Sequence, residues 1–432
     1  MSDPEVVCNF AKDMISDLPG NVIERILECM PLQDAVRTSI LSKKWRYNWA
    51  TLPQLVFDGQ FFDYAIDDPW EENVLANNVN EVLLLHIGPI HKFSLCIPDS
   101  CSIQNRDIAR WILILSRNGI RELTLVNSKQ NNSYRLPSYL FSCQQLTHLK
   151  LHNYTFKPPP AFRAFHNIRS LELKSITFAT NIFESLISSS PLLERFIFVS
   201  CNGVDHFNID APNLKYLFVS GMFKSVSFIS TPKLVEVSFI MTKFPNHSAL
   251  KMANLDEVMG CLPQLEKLHL SRYSLKVLAA GGVPKRLATT SNFLKYLKFC
   301  FLDFYNVDQI SCALCLIRSS INLQELEILA FASPAAAMEP VLNFMENQDC
   351  ADCTLDQLRK VTMQRVRGSK PELEFMEYFL ACSPILDLML IERHKDIDAN
   401  AELRMSRELM RFSRASPKAQ IIYLDPPTEN AH

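Results

Sequence analysis

The chain has 432 residues, with 44 basic against 46 acidic side chains and a net charge of −2. Hydrophobic residues make up 48% and charged residues 21%, the balance of a globular chain of about two to four domains with a sizeable core. There is no basic excess of the kind that marks a nucleic-acid binder or a binder of anionic membranes.

Residues 1–13 carry no apolar core of signal-peptide length. The longest apolar stretches, at 82–85 and 111–115, are too short to span a bilayer. The expected setting is therefore intracellular, in the nucleus and/or cytoplasm, with the 13 cysteines as thiols rather than a disulfide framework.

The first elements form a helical hook. Asp17 is placed to cap a helix and Pro19 suits its first turn. Val22, Ile23, Ile26, Leu27 and Met30 make one apolar face. After Pro31-Leu32, residues Ala35, Val36, Ser39, Ile40 and Leu41 make a second, and residues 43–49 with two tryptophans make a third short helix. Three helices in about 35 residues rarely support a core of their own. Their surplus apolar surface is expected to face a partner. The acidic run at 63–72 reads as a solvated loop.

A repeat follows: apolar, two variable, apolar, one variable, apolar. It reads Ile90-Phe93-Leu95, Ile120-Leu123-Leu125, Leu146-Leu149-Leu151, Ile168-Leu171-Leu173, Leu193-Phe196-Phe198 and Leu214-Leu217-Val219. It continues as Leu234-Val237-Phe239, Leu265-Leu268-Leu270, Leu294-Leu297-Phe299, Leu323-Leu326-Ile328, Leu358-Val361-Met363 and Ile385-Leu388-Leu390. The starts lie 20 to 35 residues apart, the range of leucine-rich repeats with some long units. Between strands, Ile182-Phe183-Leu186-Ile187, Leu255-Val258-Met259 and Phe375-Met376-Phe379-Leu380 are helical faces, each followed by a proline that stops the helix. From 210 to 244 the units shorten to about 20 residues, with little helix expected. The predicted fold is α/β: strands stacked in a curved parallel sheet, with helices or loops outside.

Side chains alternate across a strand, so the variable positions face the open side. These include His148, Lys150 and His152, then Ser170, Glu172 and Lys174, then Arg195, then Ser220, then Glu236 and Ser238, then Lys267, His269 and Ser271. Among them Ile197, Val199, Tyr216, Phe218 and Ile240 form an apolar and aromatic cluster, the candidate target-binding surface.

Two C-x-x-C pairs, Cys312/Cys315 and Cys350/Cys353, are too far apart for a compact zinc module, and the first sits in an apolar helix face. No nucleotide-binding, metalloprotease or hydrolase motif occurs. No catalytic residue, metal site or cofactor is therefore assigned.

The stretch from Ile15-Ser16-Asp17-Leu18-Pro19 to Leu41-Ser42-Lys43-Lys44-Trp45-Arg46 resembles the F-box, and Trp49-Ala50-Thr51-Leu52-Pro53-Gln54-Leu55-Val56-Phe57-Asp58 resembles the segment that trails it in plant proteins. Val82-Leu83-Leu84-Leu85-His86-Ile87-Gly88-Pro89-Ile90 resembles the first repeat of plant F-box/leucine-rich-repeat proteins. Arg414-Ala415-Ser416-Pro417-Lys418-Ala419-Gln420-Ile421 resembles the end of the FBD domain. The resemblance implies an F-box at 14–58, repeats at 59–357 and an FBD domain at 358–425 that caps the array as a distinct C-terminal part. It implies a non-enzymatic substrate receptor of a Skp–cullin–F-box (SCF) ubiquitin ligase, with a Skp-type adaptor, a cullin and an unknown target as partners, and neither nucleic acid nor membrane. On its motif positions, Leu18, Pro19, Ile23, Ile26, Leu27, Leu32, Val36 and Trp45 supply the adaptor-facing or hook-core side chains. Gly20 and Asn21 depart from the acidic or polar residues commoner there. The competing readings are a repeat scaffold, or a small-molecule sensor, without ligase recruitment.

Overall fold

The computed structural model describes residues 15, 18–59, 61, 74–101, 103–129, 133–179, 182–243, 255–288, 292–331, 337–347 and 354–426. The chain forms two compact units, residues 1–168 and 169–432.

The first unit begins with the hook: α1 (Gly20–Glu28), α2 (Leu32–Arg37) prolonged by the 3-10 turn Thr38–Ile40, and the 3-10 turn Asn48–Thr51. Pro19 stands immediately before α1 in extended backbone, and among the described residues no side chain caps the helix. The expected cap, Asp17, lies outside the described residues. The third expected helix is instead a run of turns, with Trp45 N donating to Ser42 O at 3.2 Å and Ala50 N to Tyr47 O at 3.1 Å. A segment this short nucleates helix poorly. Its path is fixed by burying Trp45 and Trp49.

Strands β1 (Gln54–Phe57), β2 (Lys92–Ile97), β3 (Glu122–Asn127) and β4 (His148–His152) then pair in that order, all parallel. Parallel neighbours need long crossovers, supplied in part by α3 (Val74–Leu85) and α4 (Asn105–Arg117). The hook is tied to this unit by Ile87 N donating to Ala50 O at 2.7 Å and His91 N to Pro53 O at 2.8 Å. Phe141, Phe156, Phe162 and Phe165 pack edge to face in its interior.

The second unit is a parallel sheet of ten strands: β5 (Ser170–Lys174), β6 (Arg195–Val199), β7 (Tyr216–Gly221), β8 (Glu236–Met241), β9 (Lys267–Ser271), β10 (Tyr296–Asp303), β11 (Glu325–Phe331), β12 (Lys360–Val366), β13 (Leu388–Arg393) and β14 (Gln420–Leu424). Each pairs with the next. Helices α5 (Phe183–Ser188), α6 (Leu255–Gly260), α7 (Arg272–Ala279), α8 (Val307–Ser319), α9 (Glu339–Glu346), α10 (Lys370–Cys382) and α11 (Ala399–Arg411) connect them. The short units between β6 and β8 carry strands His206–Asp210 and Ser225–Ser230 where the others have helices, paired parallel to each other. Residues 358–425 continue the sheet with β12, β13 and β14.

Eleven of the twelve repeat motifs point inward in the expected phase. The twelfth is displaced by one residue: Leu386, Met389 and Ile391 are fully buried, whereas Ile385, Leu388 and Leu390 are half-buried. Register explains the slip, since Met389 stands beside Val361 and Ile391 beside Met363. A one-residue shift turns every side chain to the other face. Phenylalanines form the spine of this interior, with Phe198 and Phe207 at 4.6 Å, Phe207 and Phe223 at 5.2 Å, and Phe223 and Phe239 at 4.8 Å between ring centroids.

Candidate functional site

The hook has an interior and a surface, and the residues expected at the adaptor face divide between them. Ile23, Leu27, Leu32 and Trp45 are buried. Leu18 and Val36 are half-buried, and Pro19 and Ile26 are exposed. Trp45 Nε1 donates to Ile15 O at 3.3 Å, and Lys44 Nζ donates to Leu18 O, so turn and helix start are held together. With these positions filled, apolar surface remains outside. Ile26 is 38% exposed, Ile40 88%, Leu41 53% and Tyr47 63%. Val22, also exposed, lies one helical step from Ile26.

In the second unit the open face of the sheet carries the predicted cluster in the predicted phase. Phe218 stands beside Ile197 on β6 and Ser238 on β8, while Ser220 stands between Val199 and Ile240. Tyr216 lies next to Arg195, whose guanidinium sits 3.9 Å above the ring centroid. All five cluster residues, Ile197, Val199, Tyr216, Phe218 and Ile240, are half-buried.

Beside the cluster runs a polar chain. Ser238 Oγ and His269 Nδ1 are 2.9 Å apart, His269 meets the Tyr296 ring edge-on at 5.3 Å, and Glu327 accepts from Tyr296 Oη at 2.5 Å and from Lys298 Nζ at 2.6 Å. Burial lowers the His269 pKa, so the ring is held neutral more firmly than a free histidine. Burial opposes ionisation of Glu327, but the bonds from Lys298 and Tyr296 outweigh it and hold its carboxyl below the ordinary value. Ser271, expected on this face, is buried instead. Its hydroxyl caps α7 by accepting from Ser274 N at 3.3 Å and donates to Met241 O at 2.9 Å.

Sequence reasoning missed a further part of the open face, where Phe301 and Arg365 occupy β-bulges in β10 and β12. The signal was present: inward residues Phe299 and Leu302, and Met363 and Val366, are three apart where a regular strand has two.

Cys312 and Cys315 are buried in α8, and burial pushes the Cys315 thiol up to about 11 and Cys312 further. Cys350 and Cys353 lie outside the described residues. Among the described residues no group of three His, Cys, Asp or Glu is placed to hold a metal ion, and no helix is long and apolar enough to cross a membrane.

Comparison with known proteins bears on both surfaces. The F-box domain family matches residues 15–55, which contain the hook. The leucine-rich repeats of FBD-associated F-box protein At5g56370 match residues 108–328. The F-box/FBD/LRR-repeat protein At1g13570 of Arabidopsis thaliana is 38% identical over 417 residues, covering 95% of this chain and 98% of that protein. The chain belongs to the F-box/FBD/LRR-repeat family. Two other Arabidopsis thaliana proteins, FBD-associated F-box protein At4g10400 and F-box/LRR-repeat protein At3g26922, are 26% and 27% identical. The first match covers 95% of this chain and 99% of the relative, the second 61% and 94%. As an F-box/LRR-repeat protein, the chain has the general architecture of an adaptor: the hook is its F-box, and the parallel sheet is its repeat array.

Proposed function

We propose that this chain is the non-catalytic substrate-recognition subunit of an SCF ubiquitin ligase. In this reading the F-box at 14–58 docks a Skp-type adaptor and through it a cullin. The repeats at 59–357 hold a target protein on their open face, the FBD part at 358–425 prolongs the array, and the protein works in the nucleus and/or cytoplasm. The observation that carries the reading is the hook's leftover apolar surface. Its interior is already closed by Ile23, Leu27, Leu32 and Trp45, yet Val22, Ile26, Ile40, Leu41 and Tyr47 remain exposed. Large apolar side chains left exposed on so small a unit mark it as a place of interaction. Leu18 and Pro19 stand just before α1. For the target, Ile197, Val199, Tyr216, Phe218 and Ile240 offer the apolar and aromatic anchor that dominates many interfaces.

The test is recovery of a Skp-type adaptor by the full chain, by Leu18→Ala/Pro19→Ala and by Ile26→Asp/Ile40→Asp. The expected result is a loss of about tenfold or more in adaptor affinity for the aspartate pair, because burying one unpaired carboxylate costs more than that factor, and a smaller loss for the alanine pair. Undiminished recovery by both variants would refute the adaptor role of the hook.

A further inference from the structure

The open face of the second unit is charged, but most of its charges are neutralised within the sheet. Glu172 pairs with Lys174 at 2.8 Å, Glu327 with Lys298 at 2.6 Å, and Glu325 with Lys360 at 3.6 Å. Arg272 and Arg365 differ, since, like Arg195, neither makes an ion pair among the described residues. Each is held against aromatic rings instead. The Arg272 guanidinium lies 4.1 Å from the Phe331 centroid and 4.5 Å from that of Tyr273, and its Nη2 donates to Tyr273 Oη at 2.8 Å. Arg365 lies 5.8 Å from the Phe301 ring.

The strand order gives these contacts a direction. Arg272 follows β9 and reaches across β10 to Phe331 on β11, while Arg365 on β12 reaches back across β11 to Phe301 on β10. Two guanidinium groups thus converge from opposite sides over the ends of β10 and β11, with Leu329 and Phe331 as an apolar floor. The backbone is bent to achieve this. Phe301 and Arg365 have φ of 62° and 56°, a left-handed conformation that bulky side chains rarely adopt, and both sit at register shifts. Glu392, on the far side of β12, is an acid that feels Arg365, but burial raises its carboxyl against that pull.

We propose that this bulged end of the open face is an anchor for an acidic segment of the target: an extended stretch with two carboxylate side chains, one received by each arginine, and an apolar side chain between them on Leu329 and Phe331. A guanidinium set against a ring and without an acidic partner still has N–H donors to offer, and the planar guanidinium fork can take a carboxylate bidentately. The inference rests on the reading that the open face holds a protein target.

Selection of a random twelve-residue peptide library displayed on phage, with the full chain as bait, tests it. The recovered peptides are expected to be enriched in aspartate and glutamate spaced around an apolar residue. A synthetic copy of the strongest is expected to bind Arg272→Gln/Arg365→Gln about tenfold more weakly or worse. Its asparagine and glutamine version should lose as much on the wild-type chain. Arg365 is exposed, so Arg365→Gln alone decides the matter if the double variant does not fold. Recovered peptides without acidic enrichment, or an acidic peptide that binds Arg365→Gln as tightly as wild type, would overturn the inference. The adaptor recovery is read separately: a chain that binds the peptide but no adaptor refutes the ligase reading alone, and the reverse refutes the anchor alone.

Discussion

Replacing Met389 by alanine asks which face of β13 is the interior. Met389 and Ile391 are fully buried, flanked by Val361 and Met363 on β12 and by Ile421 and Tyr423 on β14. Truncation there removes a buried side chain and leaves a cavity between two neighbouring strands, a loss of about 2–5 kcal/mol. Leu390 is half-buried on the open face, and its truncation is expected to cost about 1 kcal/mol or less. Stability in a repeat array is a sum over neighbouring units, so the loss concentrates in β12 to β14. The tryptophans, at positions 45, 49, 70 and 111, all lie in the first unit, so their fluorescence does not report it. Hydrogen exchange followed by mass spectrometry on peptides covering 360–366, 388–393 and 420–424 does. Met389→Ala should speed exchange there by about thirtyfold or more, and Leu390→Ala by about fivefold at most. Equal losses of protection, or a greater loss for Leu390→Ala, would show that the phase assigned to this strand is wrong.

Gly203 has φ of 85°, and a Cβ there would meet the Phe178 carbonyl oxygen at 2.5 Å, so Gly203→Ala should cost about 2 kcal/mol or more in thermal unfolding; Gly260, at the end of α6 with nothing within 4 Å of its Cβ, should accept alanine neutrally or gain about 0.5–1 kcal/mol. Burial lowers the His269 pKa from 6.5, so the unfolded chain takes up that proton first. The contribution of His269 to stability is complete above pH 6.5 and is lost as pH falls through 6.5 toward the folded value. The urea midpoints of wild type and His269→Gln should therefore converge on acidification, and a gap that does not change with pH would contradict this.

Much of the array is legible from its periodicity because the inward positions are large and apolar and many are flanked by polar neighbours, as in Leu268 between Lys267 and His269. The last unit fails that condition. Leu388, Met389, Leu390 and Ile391 are apolar in both phases, and only pairing against Val361 and Met363 selects one. The hook has the same ambiguity. Ile23 and Leu27 are related by the same helical spacing as Val22 and Ile26, and nothing local says which pair turns inward. Burial of Trp45 and Trp49 beside α1 decides it. Arg272 and Arg365 were not legible as a pair, because only strand order and two bulges bring both over β10 and β11.

The division of the hook also decides which variants speak to function. Ile23, Leu27, Leu32 and Trp45 have no exposed surface of any size, so adaptor binding lost on changing them reports an unfolded hook. Val22, Ile26 and Ile40 project outward and carry little of the interior, so a loss there reports contact. The same reasoning holds on the open face. Lys298 and Glu327 satisfy each other, and removing either leaves a half-buried charge without its partner, a change in the fold as much as in recognition. Arg365 is exposed, 5.8 Å from the Phe301 ring centroid and without an ion pair among the described residues, so removing its guanidinium takes away little but the group proposed to meet a target.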